Sequence, residues 1–193
     1  MEILEFDEEE ATKITLVKKI CMLGDPAVGK TSLVSRFVHS VFDNKYIATI
    51  GANVSRKDVE IPHLERGILY HLKFMIWDIA GQETFDWIKP TYYRNAEGAL
   101  LVCDITRRET LENLENWRNA LFNVTGKIPI VVVVNKCDLK DAAQFSGRDV
   151  KHKMSGLDIY FTSAKTGENV EKCFKRLGKL MVEALPDVGD KDT

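Results

Sequence analysis

Cysteine is scarce in this 193-residue chain: Cys21, Cys103, Cys137 and Cys173 lie far apart, with no Cys-x-x-Cys pair among them. Most fall in strand-like or helix-like segments, where a free cysteine behaves as a small hydrophobe, and a reducing, cytoplasmic setting is expected. Long apolar runs are missing as well. Even a stretch such as Ile128 to Val134 is far too short to span a bilayer. The opening Met-Glu-Ile-Leu-Glu has no basic region followed by an apolar one, so it does not read as a secretory signal. Neither sign of charge dominates. A net charge of −2 offers no field to gather nucleic acid or an anionic membrane, so no nucleic-acid partner is expected. Internal repeats and low-complexity tracts are absent too. What is present, 45% apolar and 29% charged residues, suits one soluble globular domain with a sizeable core.

The ends differ from the middle. Residues 1–12 carry Glu8, Glu9 and Glu10, and 186–193 read Pro-Asp-Val-Gly-Asp-Lys-Asp-Thr. A flexible acidic extension and a short polar tail are therefore expected to flank a domain over 13–185. Within it, Ile14 to Leu23, Ala99 to Cys103, Ile128 to Val134 and Ile159 to Phe161 read as short, doubly buried strands. Lys30 to Val38, Thr110 to Phe122 and Val170 to Leu185 place apolar residues three and four apart, as helices do. Val54 to Ile61 and Ile68 to Trp77 flank Pro62–Gly67, which reads as a hairpin loop. This alternation predicts an α/β fold. The sheet is mostly parallel with one antiparallel edge hairpin, helices cover both faces, and ligands bind at the carboxyl ends of the strands.

Gly24-Asp25-Pro26-Ala27-Val28-Gly29-Lys30-Thr31 has two glycines with four residues between them, followed by Lys and Thr. It closes a predicted strand and opens a predicted helix, the context that a phosphate-binding loop requires. Backbone N–H groups can wrap phosphates there, glycine permits the turn and the close approach, and the helix N-terminus favours an anion. Lys30 is placed to reach the β- and γ-phosphates, and the Thr31 hydroxyl to ligate Mg²⁺, with Ser32 following it. Pro26 has no N–H, so the phosphate-facing donors are expected from Ala27 through Thr31.

Such a loop alone leaves kinases and ATPases open. Asn135-Lys136-Cys137-Asp138 follows the Ile128–Val134 strand, and Thr162-Ser163-Ala164-Lys165 follows the next. Together these resemble the two guanine-reading segments of the Ras superfamily. The resemblance implies that Asp138 accepts from guanine N1–H and its 2-amino group, while the Ala164 N–H donates to O6. It also implies that the Lys136 and Lys165 stems sandwich the base. Asp78-Ile79-Ala80-Gly81-Gln82-Glu83 resembles the family's second switch, and Phe42, Tyr46 and Thr49 its first. From that likeness Phe42 packs beside the base and Thr49 ligates Mg²⁺ while the γ-phosphate is present. Asp78 holds Mg²⁺ through water, the Gly81 N–H bonds the γ-phosphate, and Gln82 orients the attacking water, with Lys30 beside it in the catalytic set. The resemblance covers roughly residues 13–185. It implies a six-stranded G domain of the P-loop NTPase class with about five helices, acting on GTP and GDP with Mg²⁺.

The phrases Ala48-Thr49-Ile50-Gly51, Tyr92-Tyr93-Arg94 and Asp104-Ile105-Thr106 are similar to the Rab branch. By that likeness effectors bind around Thr49, Trp77 and Tyr92, and an exchange factor and a GTPase activator are expected. The chain departs from the pattern in four places. Pro26 sits where a partner's arginine would enter, and Val54 where Rabs usually place an exposed phenylalanine. The Pro62–Gly67 segment is longer than in Rabs. No cysteine follows Cys173 and the second residue is Glu2, so neither prenylation nor myristoylation is expected in this chain.

A GTP-hydrolysing switch is therefore expected, with a non-hydrolysing GTP-dependent scaffold as the alternative. Gln82 and Thr49 weigh against the scaffold, because a dead switch needs neither. A small-molecule kinase would need a lid and an acceptor site, and no sequence feature supplies them. Guanine selectivity is the first test. Asp138→Asn is expected to cost about 1–3 kcal/mol of GTP binding and to admit xanthine nucleotides, since an amide cannot accept from both donors. Competition titrations would measure it, and equal affinity of the parent chain for ATP and GTP would refute the assignment.

Overall fold

The computed structural model describes residues 11–43, 49–81 and 89–186. Six strands form one sheet: β1 Thr12–Leu23, β2 Ala52–His63, β3 Ile68–Ile79, β4 Gly98–Asp104, β5 Ile130–Asn135 and β6 Asp158–Phe161. Their spatial order is β2-β3-β1-β4-β5-β6. All neighbours run parallel except β2 and β3, which pair antiparallel at one edge. This bears out the mostly parallel sheet with an edge hairpin. All seven β4 residues and all six of β5 are buried, which is why these runs carry no polar alternation.

Six α-helices lie among the described residues: α1 Lys30–His39, α2 Lys89–Tyr93, α3 Arg108–Glu112, α4 Leu114–Thr125, α5 Gly147–Lys153 and α6 Val170–Glu183. Leu33, Val34 and Phe37 of α1 join Phe174, Leu177 and Met181 of α6 in a core on one sheet face. Leu111, Leu114, Trp117 and Leu121 of α3 and α4 join Val150 of α5 and Tyr93 of α2 on the other. Cys21, Cys103 and Cys173 are buried, and burial pushes each thiol up to about 12, so they pack as inert apolar groups.

Two boundaries differ from expectation. The helix expected over 110–122 is α3 and α4 meeting at Asn113, which keeps right-handed helical angles (φ −78°, ψ −12°). Of the expected loop over Pro62–Gly67, only Pro62 and His63 are strand. Pro62 pairs with Leu69 and His63 with Ile68, leaving a short 3₁₀ turn, Leu64–Arg66, closed by Gly67 at φ 59°. Proline is tolerated there because β2 is an edge strand and its missing N–H breaks no inner ladder. The ladder thus runs two residues past Ile61, and a short turn closes the hairpin. Helix α5 was not anticipated, although Ser146 and Asp149 form a capping box at its start.

The α1–α6 contact is the keystone of its face. Phe37 and Phe174 stack with centroids 3.9 Å apart and ring planes 2° from parallel, and Phe174 has no exposed surface. Phe174→Ala is expected to destabilise the domain by ~3–5 kcal/mol through lost transfer energy and an unfilled cavity. Urea unfolding would show this as a lower midpoint with an unchanged slope.

Candidate nucleotide site

Topology places the site. The chain leaves β1 toward β3 on one side and later returns toward β4 on the other, so a crevice opens where β1 ends. The segment between Leu23 and Lys30 fills that crevice as a loop, with Gly29 as N-cap of α1 at φ 98°. A Cβ at Gly29 would overlap the Asn135 side chain, and one at Gly81 would lie 2.6 Å from the Asp25 carbonyl carbon. Glycine at these two positions lets the β5 end and the β3 end close directly onto the loop.

Side chains brace the loop from several elements. Lys30 is buried, and its Nζ donates to the carbonyls of Gly24 at 2.7 Å and Asp25 at 2.9 Å. Asn135 Nδ2 donates to the Val28 carbonyl at 2.9 Å. Lys136 Nζ donates to the Ala27 carbonyl at 2.9 Å and pairs with Asp104 Oδ2 at 2.6 Å. From α4 and the residue before it, Trp117 Nε1 and Asn113 Nδ2 grip the two oxygens of Asp25 at 2.7 and 2.8 Å.

Thr31, Thr49 and Asp78 converge beside the loop. The Thr31 hydroxyl donates to Asp78 Oδ2, and the Thr31 and Thr49 hydroxyl oxygens are 2.9 Å apart. Asp78 is 2% exposed, and its Oδ1 is buried with no hydrogen-bond partner among the described residues. Burial lifts its carboxyl above the usual range, against the Thr31 hydrogen bond and the Lys30 charge that pull it down. Two hydroxyls and an under-coordinated carboxylate form a hard oxygen donor set. That set fits Mg²⁺, which would supply Lewis-acid charge at the phosphates.

At the ends of β5 and β6 the base-reading residues form the other half of the cleft. Asn135 is buried and accepts from Thr162 Oγ1 and the Ala164 N–H, both at 3.2 Å. The Ala164 N–H is therefore directed at Asn135 here. Ser163 Oγ donates to Asp138 Oδ1 at 2.6 Å, which orients that carboxylate. Arg36 of α1 supports this loop through the carbonyls of Ala164 and Lys165 at 2.8 and 2.6 Å. A cleft of 430 Å³ joins the two halves. Its lining includes Lys30, Thr31, Ser32 and Thr49 at one end and Asp138 and Lys165 at the other, with Phe42 at its wall. That volume suits a nucleotide-sized ligand.

Tyr46 and Gln82, expected in the site, lie outside the described residues. Five further residues at the site were not anticipated there: Asp25, Arg36, Arg107, Asn113 and Trp117. Only Asp25 had an available signal, as a charged residue inside the phosphate-loop pattern. The others reach the site through tertiary contacts that a linear pattern does not encode.

A strand, a glycine-bounded loop and a helix N-terminus around an anion cradle, joined to a base cleft at the next two strand ends, define a phosphate-loop nucleotide-binding protein. The sequence profile of the Ras family matches residues 19–183, and the chain belongs to that family. It is 39% identical to the Ras-related protein Rab-22A of Mus musculus over 178 residues, covering 90% of this chain and 89% of the relative. Rab-22A of Canis lupus familiaris is likewise 39% identical over 179 residues, with the same coverages. The chain is accordingly a Rab-like small GTPase, an enzyme that hydrolyses GTP.

Asn135 holds the site together, since one buried side chain bonds the phosphate loop and both strands' loops. Asn135→Ala leaves the Val28 carbonyl and the Thr162 hydroxyl without these partners, at about 1–3 kcal/mol each. A loss of guanine-nucleotide affinity of ~10-fold or more is expected in titrations with a fluorescent GDP analogue.

Proposed function

We propose that this chain, over a switch domain spanning 13–185, binds GDP and GTP with Mg²⁺, hydrolyses GTP slowly and presents a nucleotide-dependent surface to effectors. The convergence of Thr31, Thr49 and Asp78 beside the phosphate loop carries the reading, because Thr49 belongs to a different segment from the loop. A ligand that recruits the Thr49 hydroxyl changes the conformation of that segment, which is the element of a switch. Lys30 and the loop N–H groups would bear the negative charge that spreads over the γ-phosphoryl oxygens. Gln82 offers both a donor and an acceptor and is assigned to orient the attacking water.

The surface around Thr49 supports an effector site. Ile50 is 82% exposed and Val54 42%, beside the Trp77 and Tyr92 rings, whose centroids are 6.2 Å apart. Lys19 lies over the Trp77 ring at 3.9 Å. An exposed apolar group of this kind marks a partner surface. An exchange factor and a GTPase activator complete the cycle, and the Rab-like resemblance supports a role in membrane traffic or signalling. The setting is the cytoplasm; no helix among the described residues is long and apolar enough to cross a membrane.

Single-turnover GTP hydrolysis tests the reading. Gln82→Leu is expected to lose most turnover while retaining GTP, and Thr31→Asn to favour GDP or lose nucleotide in the presence of Mg²⁺. A Gln82→Leu variant as fast as the parent would overturn the catalytic assignment.

A further inference from the structure

We propose that Arg107 is a positioning residue for phosphate binding: by holding the Pro26 carbonyl from outside the loop, it aims the Ala27 N–H into the anion cradle. The inference rests on the reading that this loop holds phosphates. Its geometry is simple. In a trans peptide the C=O and the following N–H point in opposite directions, so a grip on one carbonyl sets the direction of the next donor. Every peptide bond among the described residues is trans.

Three consecutive peptides of the loop are gripped in this way. Asn135 takes the Val28 carbonyl and so turns the Gly29 N–H inward. Lys136 takes the Ala27 carbonyl and turns the Val28 N–H. Arg107 takes the Pro26 carbonyl through its terminal guanidinium nitrogen at 2.7 Å, which turns the Ala27 N–H. Pro26 has no N–H of its own, so Ala27 supplies the first donor after that gap. Ala27 also sits at φ 61°, a left-handed conformation that is strained for a non-glycine residue. A peptide with that strain and no proline donor beside it depends on an external hold.

Arg107 is built to provide one. Its N–H bonds the Asp104 carbonyl at 2.9 Å, and its own carbonyl accepts from the Thr110 hydroxyl at 2.7 Å, so its backbone is held at both ends. Its Nε lies 3.4 Å from Asp104 Oδ2, and Asp104 is 1% exposed. That same carboxylate oxygen receives Lys136 at 2.6 Å. One buried anion therefore anchors two cations, and each cation spends its other contact on a neighbouring carbonyl of the phosphate loop. Asn135 and Lys136 come with the base-reading motif, whereas Arg107 arrives from the β4–α3 turn. It is thus a separate tie between the loop and the body of the domain.

The test compares Arg107→Met, which keeps the stem and loses the donors, with Arg107→Lys, which keeps a cationic donor. Two quantities are read on the Mg²⁺-loaded protein: the release rate of a fluorescent GDP analogue, and the ³¹P resonance of the β-phosphate of bound GDP. Arg107→Met is expected to release nucleotide ~10-fold faster, the scale of one hydrogen bond from a charged donor, and to shift the β-phosphorus resonance. Arg107→Lys is expected to stay within about threefold of the parent, because one ammonium donor suffices for one carbonyl. Release from Arg107→Met at the parental rate would overturn the inference. Faster release with an unmoved phosphorus resonance would overturn it too, since that reports general loosening. A parent chain that holds no GDP would overturn the guanine-nucleotide reading itself and this inference with it.

Discussion

The outer side of the phosphate loop depends on one buried anion, the Asp104 carboxylate at the carboxyl end of β4. Burial alone would raise its affinity for a proton. The hydrogen bonds from Lys136 and Thr106 outweigh burial and hold the carboxyl below its usual range. A paired charge of this kind is costly to break because removing one partner strands the other in low dielectric. The sign follows from the depressed value: its contribution to stability is present above the ordinary carboxylate range and is lost as pH falls through the lowered one. At neutral pH the anion therefore keeps Lys136 and Arg107 in place, and through them the outer side of the phosphate loop.

Asp78, at the end of β3, is its counterpart on the other side of β1, and the two strand ends flank the loop. Here the balance reverses. Burial wins over Thr31 and Lys30, the carboxyl is raised, and one oxygen lacks a hydrogen-bond partner among the described residues. A raised carboxyl penalises the folded state at neutral pH, and that penalty disappears below the ordinary carboxylate range. A divalent cation held there, as proposed, would offset it at neutral pH and so would couple ligand binding to folding stability. Two carboxylates at equivalent strand ends thus differ in their balance, one paired and held charged, the other buried with an oxygen left over that the proposed Mg²⁺ site would use.

Much of this was legible in the sequence, and particular residues show why. The uninterrupted apolar runs of β4 and β5 announced doubly covered strands, and the spacing of Gly24, Gly29, Lys30 and Thr31 announced the loop between a strand and a helix. Thr31, Thr49 and Asp78 were grouped as metal ligands through the family resemblance, and they do meet. What was hidden is the bracing. Arg107 reads as one of two adjacent arginines in a turn, and Trp117 as an apolar residue on a helix face. Only the fold brings the first to Pro26 and the second to Asp25. At Pro62 and His63 the strand runs further than expected for a local reason, because proline signals a break unless the strand is at an edge, and edge position is a property of the sheet.

The two halves of the cleft also differ in how they are held, and that difference is what permits a switch. The phosphate loop is fastened on its outer side by Asn135, Lys136 and Trp117, so it is a fixed reference. The described residues facing it, Thr49 and Gly81, sit at the open end of the edge hairpin. Gly51 accepts from the Ala80 N–H at 2.9 Å, at the top of a ladder that runs twelve residue pairs from Ala52–Ile79 down to His63–Ile68. Thr49 and Gly81 lie just beyond that last fastening, one on each chain of the hairpin. Both already sit against the loop, Thr49 through the Thr31 hydroxyl at 2.9 Å and Gly81 beside Asp25 and Pro26. Ile50, next to Thr49, is largely exposed. A ligand that shifts Thr49 would carry Ile50 with it, so under the proposed switch the chemistry at the phosphates would be read as a change of apolar surface one residue away.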